Sequence, residues 1–117
     1  MNDRDPDCLF CKIVADEIPS DRVLETDELI AFRDIHPQAP THVLVVPRRH
    51  VPDIDTLDDD DAGLLSALFA AVRQVAGHEG LAKGYRVVTN VGAESGQSVF
   101  HLHFHVLGGR RMSWPPG

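Results

Sequence analysis

The clearest rhythm in this chain is helical. Leu64, Leu65, Leu68, Phe69, Val72 and Val75 recur at spacings of three and four residues, which predicts an amphipathic helix ending near Gly77 and Gly80. Asp58 to Asp61 precede it and complement the positive end of its dipole. Elsewhere the pattern is that of strands. Val23 to Glu25 and Leu29 to Arg33 read as a hairpin turning at Asp27-Glu28, and Thr41 to Pro47 as a strand centred on Val43-Leu44-Val45-Val46. Between them, His36-Pro37-Gln38-Ala39-Pro40 is a stiff loop, since each proline fixes its own φ and restricts the residue before it. Near the start, Asp7 can cap a short helix over Cys8 to Asp16, with Phe10, Ile13 and Val14 on one side and Ile18-Pro19-Ser20 ending it. After the long helix come a strand over Tyr85 to Asn90, a glycine-containing loop over Val91 to Gln97, and a strand over Ser98 to Leu107. The order β-β-β-α-β-β predicts an α+β class: an antiparallel sheet flanked by helices.

Within the last strand, residues 101 to 107 read His-Leu-His-Phe-His-Val-Leu, which places 3 of the 7 histidines in one alternating run. Alternation puts His101, His103 and His105 on one face and Leu102, Phe104 and Val106 on the other. At ~3.3 Å per residue the outer pair would lie ~13 Å apart. Zinc–nitrogen bonds are only ~2.0–2.1 Å long, so three histidines on a regular strand cannot share one ion. A chance water-facing strand and a loose metal-binding tract are the plain alternatives, and the core-type residues between the histidines argue against the tract. A division of labour among the three is the better reading.

Composition narrows the class. A chain of 117 residues makes one domain, expected here over 8–117 after a disordered 1–7. Its net charge of −7 disfavours nucleic acid as a partner, though not a small phosphorylated ligand. The start is acidic and has no apolar stretch, so no signal peptide is expected, and no segment approaches the length of a membrane span. A soluble cytoplasmic protein is expected. Both cysteines lie in Cys8-Leu9-Phe10-Cys11, which is a poor disulfide candidate in a reducing cytoplasm. A redox pair, half of a zinc site and two unrelated thiols all remain open.

Histidine titrates near neutrality and can act as nucleophile, acid or base. A central His103 suits nucleophilic attack, and His105 with His42 on the adjacent strand could complete a polar cluster. Just before the run, Gly96-Gln97-Ser98 could offer backbone N–H groups to phosphate oxygens and a hydroxyl to a leaving group. Together these point to transfer at phosphorus through a phosphohistidine-type intermediate.

The same residues resemble a known family. The run 101–107 matches the signature of the histidine triad superfamily of nucleotide hydrolases and transferases. The likeness continues through Phe32 to His50, Gly96 to His101, and the tail Gly108-Gly-Arg-Arg-Met-Ser-Trp-Pro-Pro-Gly117, and is similar to the Hint branch, the nucleoside phosphoramidate hydrolases. That resemblance implies that His103 attacks the α-phosphorus of a purine nucleoside monophosphate derivative. His105 and His42 would bind phosphoryl oxygens, and Ser98 would assist the departing amine. Asp34 would hold the ribose hydroxyls; Phe10, Ile13, Ile18, Phe32 and Ile35 would wall the purine pocket; and Asn90, Gly96 and Gln97 would line the site. It also implies a sheet extended across a homodimer, with Trp114 reaching towards the neighbouring site. In zinc-bearing members two N-terminal cysteines join a histidine after the long strand and the first triad histidine. Here these are Cys8, Cys11, His50 and His101, a good zinc set. The resemblance leaves two rivals: a dinucleoside polyphosphate hydrolase, as in the Fhit branch, and a nucleotide-binding regulatory module with weak catalysis.

Overall fold

The computed structural model describes residues 4–117. Five strands make one antiparallel sheet in the order β1-β2-β3-β5-β4: β1 (Arg22–Glu25), β2 (Leu29–Arg33), β3 (Thr41–Pro47), β4 (Tyr85–Val88) and β5 (Phe104–Gly108). Among the described residues two α-helices accompany it, α1 (Leu9–Val14) and α2 (Ala62–His78). The α+β class follows. Among the described residues no helix is long and apolar enough to cross a membrane.

The period-two pattern divides the strands between two faces. Leu29 and Ala31 of β2, Val43 and Val45 of β3, and Phe104 and Val106 of β5 pack with Leu68, Val72 and Val75 of α2. Ile30, Phe32, Leu44 and Val46 turn the other way, onto Phe10, Cys11 and Ile13 of α1. His42 and His105 alternate with Val43 and Val106, so they stand on this second face.

Local chemistry shifts several boundaries. The expected Asp7 cap is replaced by Cys8, whose sulfur accepts from the Cys11 amide at 3.4 Å. The helix it starts stops at Val14. Thr26, not Asp27-Glu28 alone, organises the hairpin, because its hydroxyl accepts from the amides of Glu28 and Leu29. Gly77 lies inside α2, which runs to His78. Asp58 and Asp61 form a capping box ahead of that helix, so the acidic run is spent on its entry. Of the seven residues expected to be disordered, 1–3 lie outside the described residues, and Asp5 to Asp7 form a turn that accepts the Cys8 amide.

The main correction concerns the histidine strand. It spans only Phe104–Gly108, so His101 and His103 precede the ladder instead of lying on it. Alternation persists there nonetheless, with Leu102 buried in the same cluster as Phe104 and Val106. Separate bonds hold the segment: the Leu102 amide donates to the Val51 carbonyl at 2.5 Å, and the Thr89 hydroxyl to the His103 carbonyl at 2.8 Å.

Candidate active site

Backbone groups assign the protons on three imidazoles and, through one of them, on a fourth, and that assignment defines the site. His103 Nδ1 lies 2.7 Å from the His101 carbonyl, which can only accept. Nδ1 therefore carries the proton, and the lone pair is left on Nε2. The Gln38 amide donates to His42 Nδ1 at 3.0 Å, so neutral His42 is protonated on Nε2. That Nε2–H meets His105 Nδ1 at 2.9 Å, which in turn puts the His105 proton on its own Nε2. One ring thus offers a lone pair while another offers a donor, and the His103 and His105 ring centroids are 4.9 Å apart.

Burial keeps these rings neutral. His105 is lowered to about 4, mainly by desolvation, and charge on His103 or His42 would lower it further. His42 and His103 are lowered by the same cause, partly offset by Asp34. Protonating His42 would also turn an N–H against the Gln38 amide. A neutral imidazole is the nucleophilic form, so the environment suits attack at working pH.

Phe10 stands edge-on to His103 with centroids 5.0 Å apart, and edge-on to Phe32 at 5.6 Å. Ile13 is buried in the same cluster, with Ile18 packed against it. Asp34, just past β2, lies 3.5 Å from His42 Nε2 and accepts the His36 amide at 2.8 Å. Asp34, His42 and His105 lie close enough together to suggest a cation site. The proton assigned to His42 Nε2 points into this group instead, donating to His105 with the Asp34 carboxylate alongside.

Other predicted positions are more scattered. Ile35 is 86% exposed. Gly96 and Ser98 are exposed on the loop before the histidines, and Asn90 is half-buried beyond β4. Gln97 is buried, but its amide is spent inside the loop: Nε2 donates to the carbonyls of Pro52 and Val99, and Oε1 accepts the Gly92 amide. It braces the loop that carries Gly96 and Ser98. Two clefts, between α2 and the start of β4 and beside the β1–β2 turn, contain none of the predicted residues. The sequence also left Gln38 and Thr89 unmarked, because they act through main-chain groups or on a main-chain acceptor.

A second cluster lies beside the first. His101 is fully buried, and its Nε2 donates to the Pro47 carbonyl at 2.8 Å, leaving Nδ1 bare. Nδ1 faces Cys8 Sγ at 3.4 Å, Cys11 Sγ at 3.5 Å and His50 Nδ1 at 3.2 Å, and Cys11 Sγ lies 3.4 Å from His50 Nδ1. A tetrahedral zinc site with these ligands has edges of about 3.3–3.8 Å. The donor set fits a metal ion, and the carbonyl bond on the far side of His101 is the usual orienting contact of a metal-bound imidazole.

Residues 15–112 match the HIT domain family, which includes the triad segment and the whole sheet. The chain belongs to the HIT domain family. A HIT-like protein of Synechococcus elongatus is 47% identical over 111 residues, 95% of this chain and 97% of that protein. Among solved structures, a HIT family hydrolase from Legionella pneumophila superposes with a TM-score of 0.93 at 50% identity, covering 95% of this chain and all of that one. A second HIT family hydrolase, from Clostridium thermocellum, gives 0.90 at 43% identity over 92% and 95% of the two chains. Both of these similar proteins are named as HIT family hydrolases, which supports hydrolase chemistry for this chain.

Proposed function

We propose that this HIT hydrolase cleaves the phosphorus–nitrogen bond of purine nucleoside phosphoramidates and releases a nucleoside monophosphate. One observation carries the reading: His103 holds its proton on Nδ1, against the His101 carbonyl, and its lone pair on Nε2. Nε2 attacks the α-phosphorus, a P–N bond forms to His103, and the substrate's P–N bond breaks as the amine leaves with a proton taken from solvent, which the attacking water gives back in the second step. Ser98 assists that departure. Water then attacks phosphorus, the bond to His103 breaks, and the monophosphate departs with a neutral histidine restored. His105 Nε2–H donates to a phosphoryl oxygen as charge gathers on it, with His42 behind it. Phe10, Ile13, Ile18, Phe32 and Ile35 wall the purine, Asp34 takes the ribose hydroxyls, and Asn90, Gly96 and Gln97 complete the lining.

Cys8, Cys11, His50 and His101 would hold one zinc ion, as a structural cross-link between α1, the segment after β3 and the triad segment. The sheet would continue across a homodimer. Edge strand β4, with Tyr85 and Val87 exposed, supports that pairing, as does the exposed Trp114 in the tail beyond it. A cytoplasmic location fits the free cysteines and the acidic charge.

The test is turnover of adenosine 5′-phosphoramidate. Wild-type protein releases AMP and ammonia, and His103→Ala does not. Equal rates in the two proteins, or no release by the wild type, would overturn the reading.

A further inference from the structure

Beyond β5 the chain doubles back onto the proline loop. Gly109 has φ +88°, and a Cβ there would lie 2.9 Å from Pro40 Cβ, so only glycine lets the two segments touch so closely. The next residue, Arg110, donates through Nη2 to the Gln38 carbonyl at 3.0 Å. The loop also braces itself, since Gln38 Nε2 donates to the His36 carbonyl at 3.1 Å. These contacts fix the Gln38 residue whose amide assigns the His42 proton, and His42 assigns that of His105.

We propose that Arg110, seated by Gly109, is a positioning residue that holds the Gln38 amide on His42 and thereby keeps the His105 proton on Nε2, facing the phosphoryl group. This rests on the proposed hydrolytic reading of the triad. Arg110 touches neither histidine and acts through one main-chain residue. Without it the Gln38 amide drifts from Nδ1, the His42–His105 pair can reverse its tautomers, and His105 then turns a lone pair towards the phosphate. A lone pair there repels the oxygen it should stabilise. The defect falls on the transition state more than on ground-state binding.

The test combines histidine ¹⁵N NMR with kinetics. In the wild-type protein, Nδ1 of both His42 and His105 gives the signature of an unprotonated ring nitrogen. Arg110→Ala and Gln38→Pro, the second deleting the amide itself, give mixed tautomers at both rings. Each variant lowers kcat on adenosine 5′-phosphoramidate roughly tenfold with KM within about twofold, the scale expected for a misplaced catalytic group. Arg110→Lys, which keeps one donor, recovers most of both signals. Unchanged tautomers in Arg110→Ala would overturn the proposal. So would a raised KM with unaltered kcat, which would make Arg110 a direct substrate contact. If the wild type shows no turnover, the hydrolytic reading fails, and the NMR arm still decides the tautomer claim.

Discussion

At the scale of single residues, the proposed chemistry rests on which nitrogen of each ring holds its proton, and main-chain groups decide this. The sequence made the residues legible: His103, His105 and His42 meet in space as their spacing implied. Their tautomers were not legible, because they follow from the His101 carbonyl on His103 and the Gln38 amide on His42, which no residue identity encodes. His105 gives a pH prediction. Its folded-state pKa is about 4, below the ordinary 6.5. Between those values the unfolded chain binds the extra proton, so stability rises with pH, is complete above about 6.5, and is lost as pH falls through 4. His103 and His42 reinforce the shift when charged, and Asp34 opposes it. Thermal melts of wild type and His105→Gln from pH 4 to 8 check this. The variant should show the shallower acid slope, and parallel curves would refute the assignment.

At the scale of elements, the period-two and helical patterns were sufficient to place both faces of the sheet. Leu102, Phe104 and Val106 are buried against α2 as alternation requires, although only the latter two lie in the ladder. The strand's late start was not readable, because it depends on the Val51 carbonyl and the Thr89 hydroxyl. Leu68 is fully buried under the sheet, so Leu68→Ala should cost about 2–5 kcal/mol in chemical denaturation. The spacing of the cysteine turn left its role open; the family resemblance pointed to His50 and His101 as its partners, and the structure brings the four side chains together. Burial pushes the Cys11 thiol up, so binding a cation there must displace a proton. Purified protein should contain one zinc per chain by elemental analysis. Cys11→Ser should lose it and melt several degrees lower, whereas an unchanged melting temperature would argue for two unrelated thiols.

At the scale of the whole molecule, one sheet carries two side-chain clusters side by side. His101 joins them: its ring belongs to the cysteine cluster, and its carbonyl orients His103. Under the proposed function the three alternating histidines divide into a strut, a nucleophile and a donor. The proposed dimer extends the same sheet, and a charge on its edge should interrupt it. Val87→Lys should sediment as a monomer where the wild type sediments as a dimer. A wild-type monomer would remove that part of the proposal. The most direct test of the central claim is intact-mass and peptide mapping of protein quenched during turnover of adenosine 5′-phosphoramidate. The account predicts an added adenylyl group on His103, absent from His103→Ala. AMP release with no adduct, or an adduct on another residue, would contradict it.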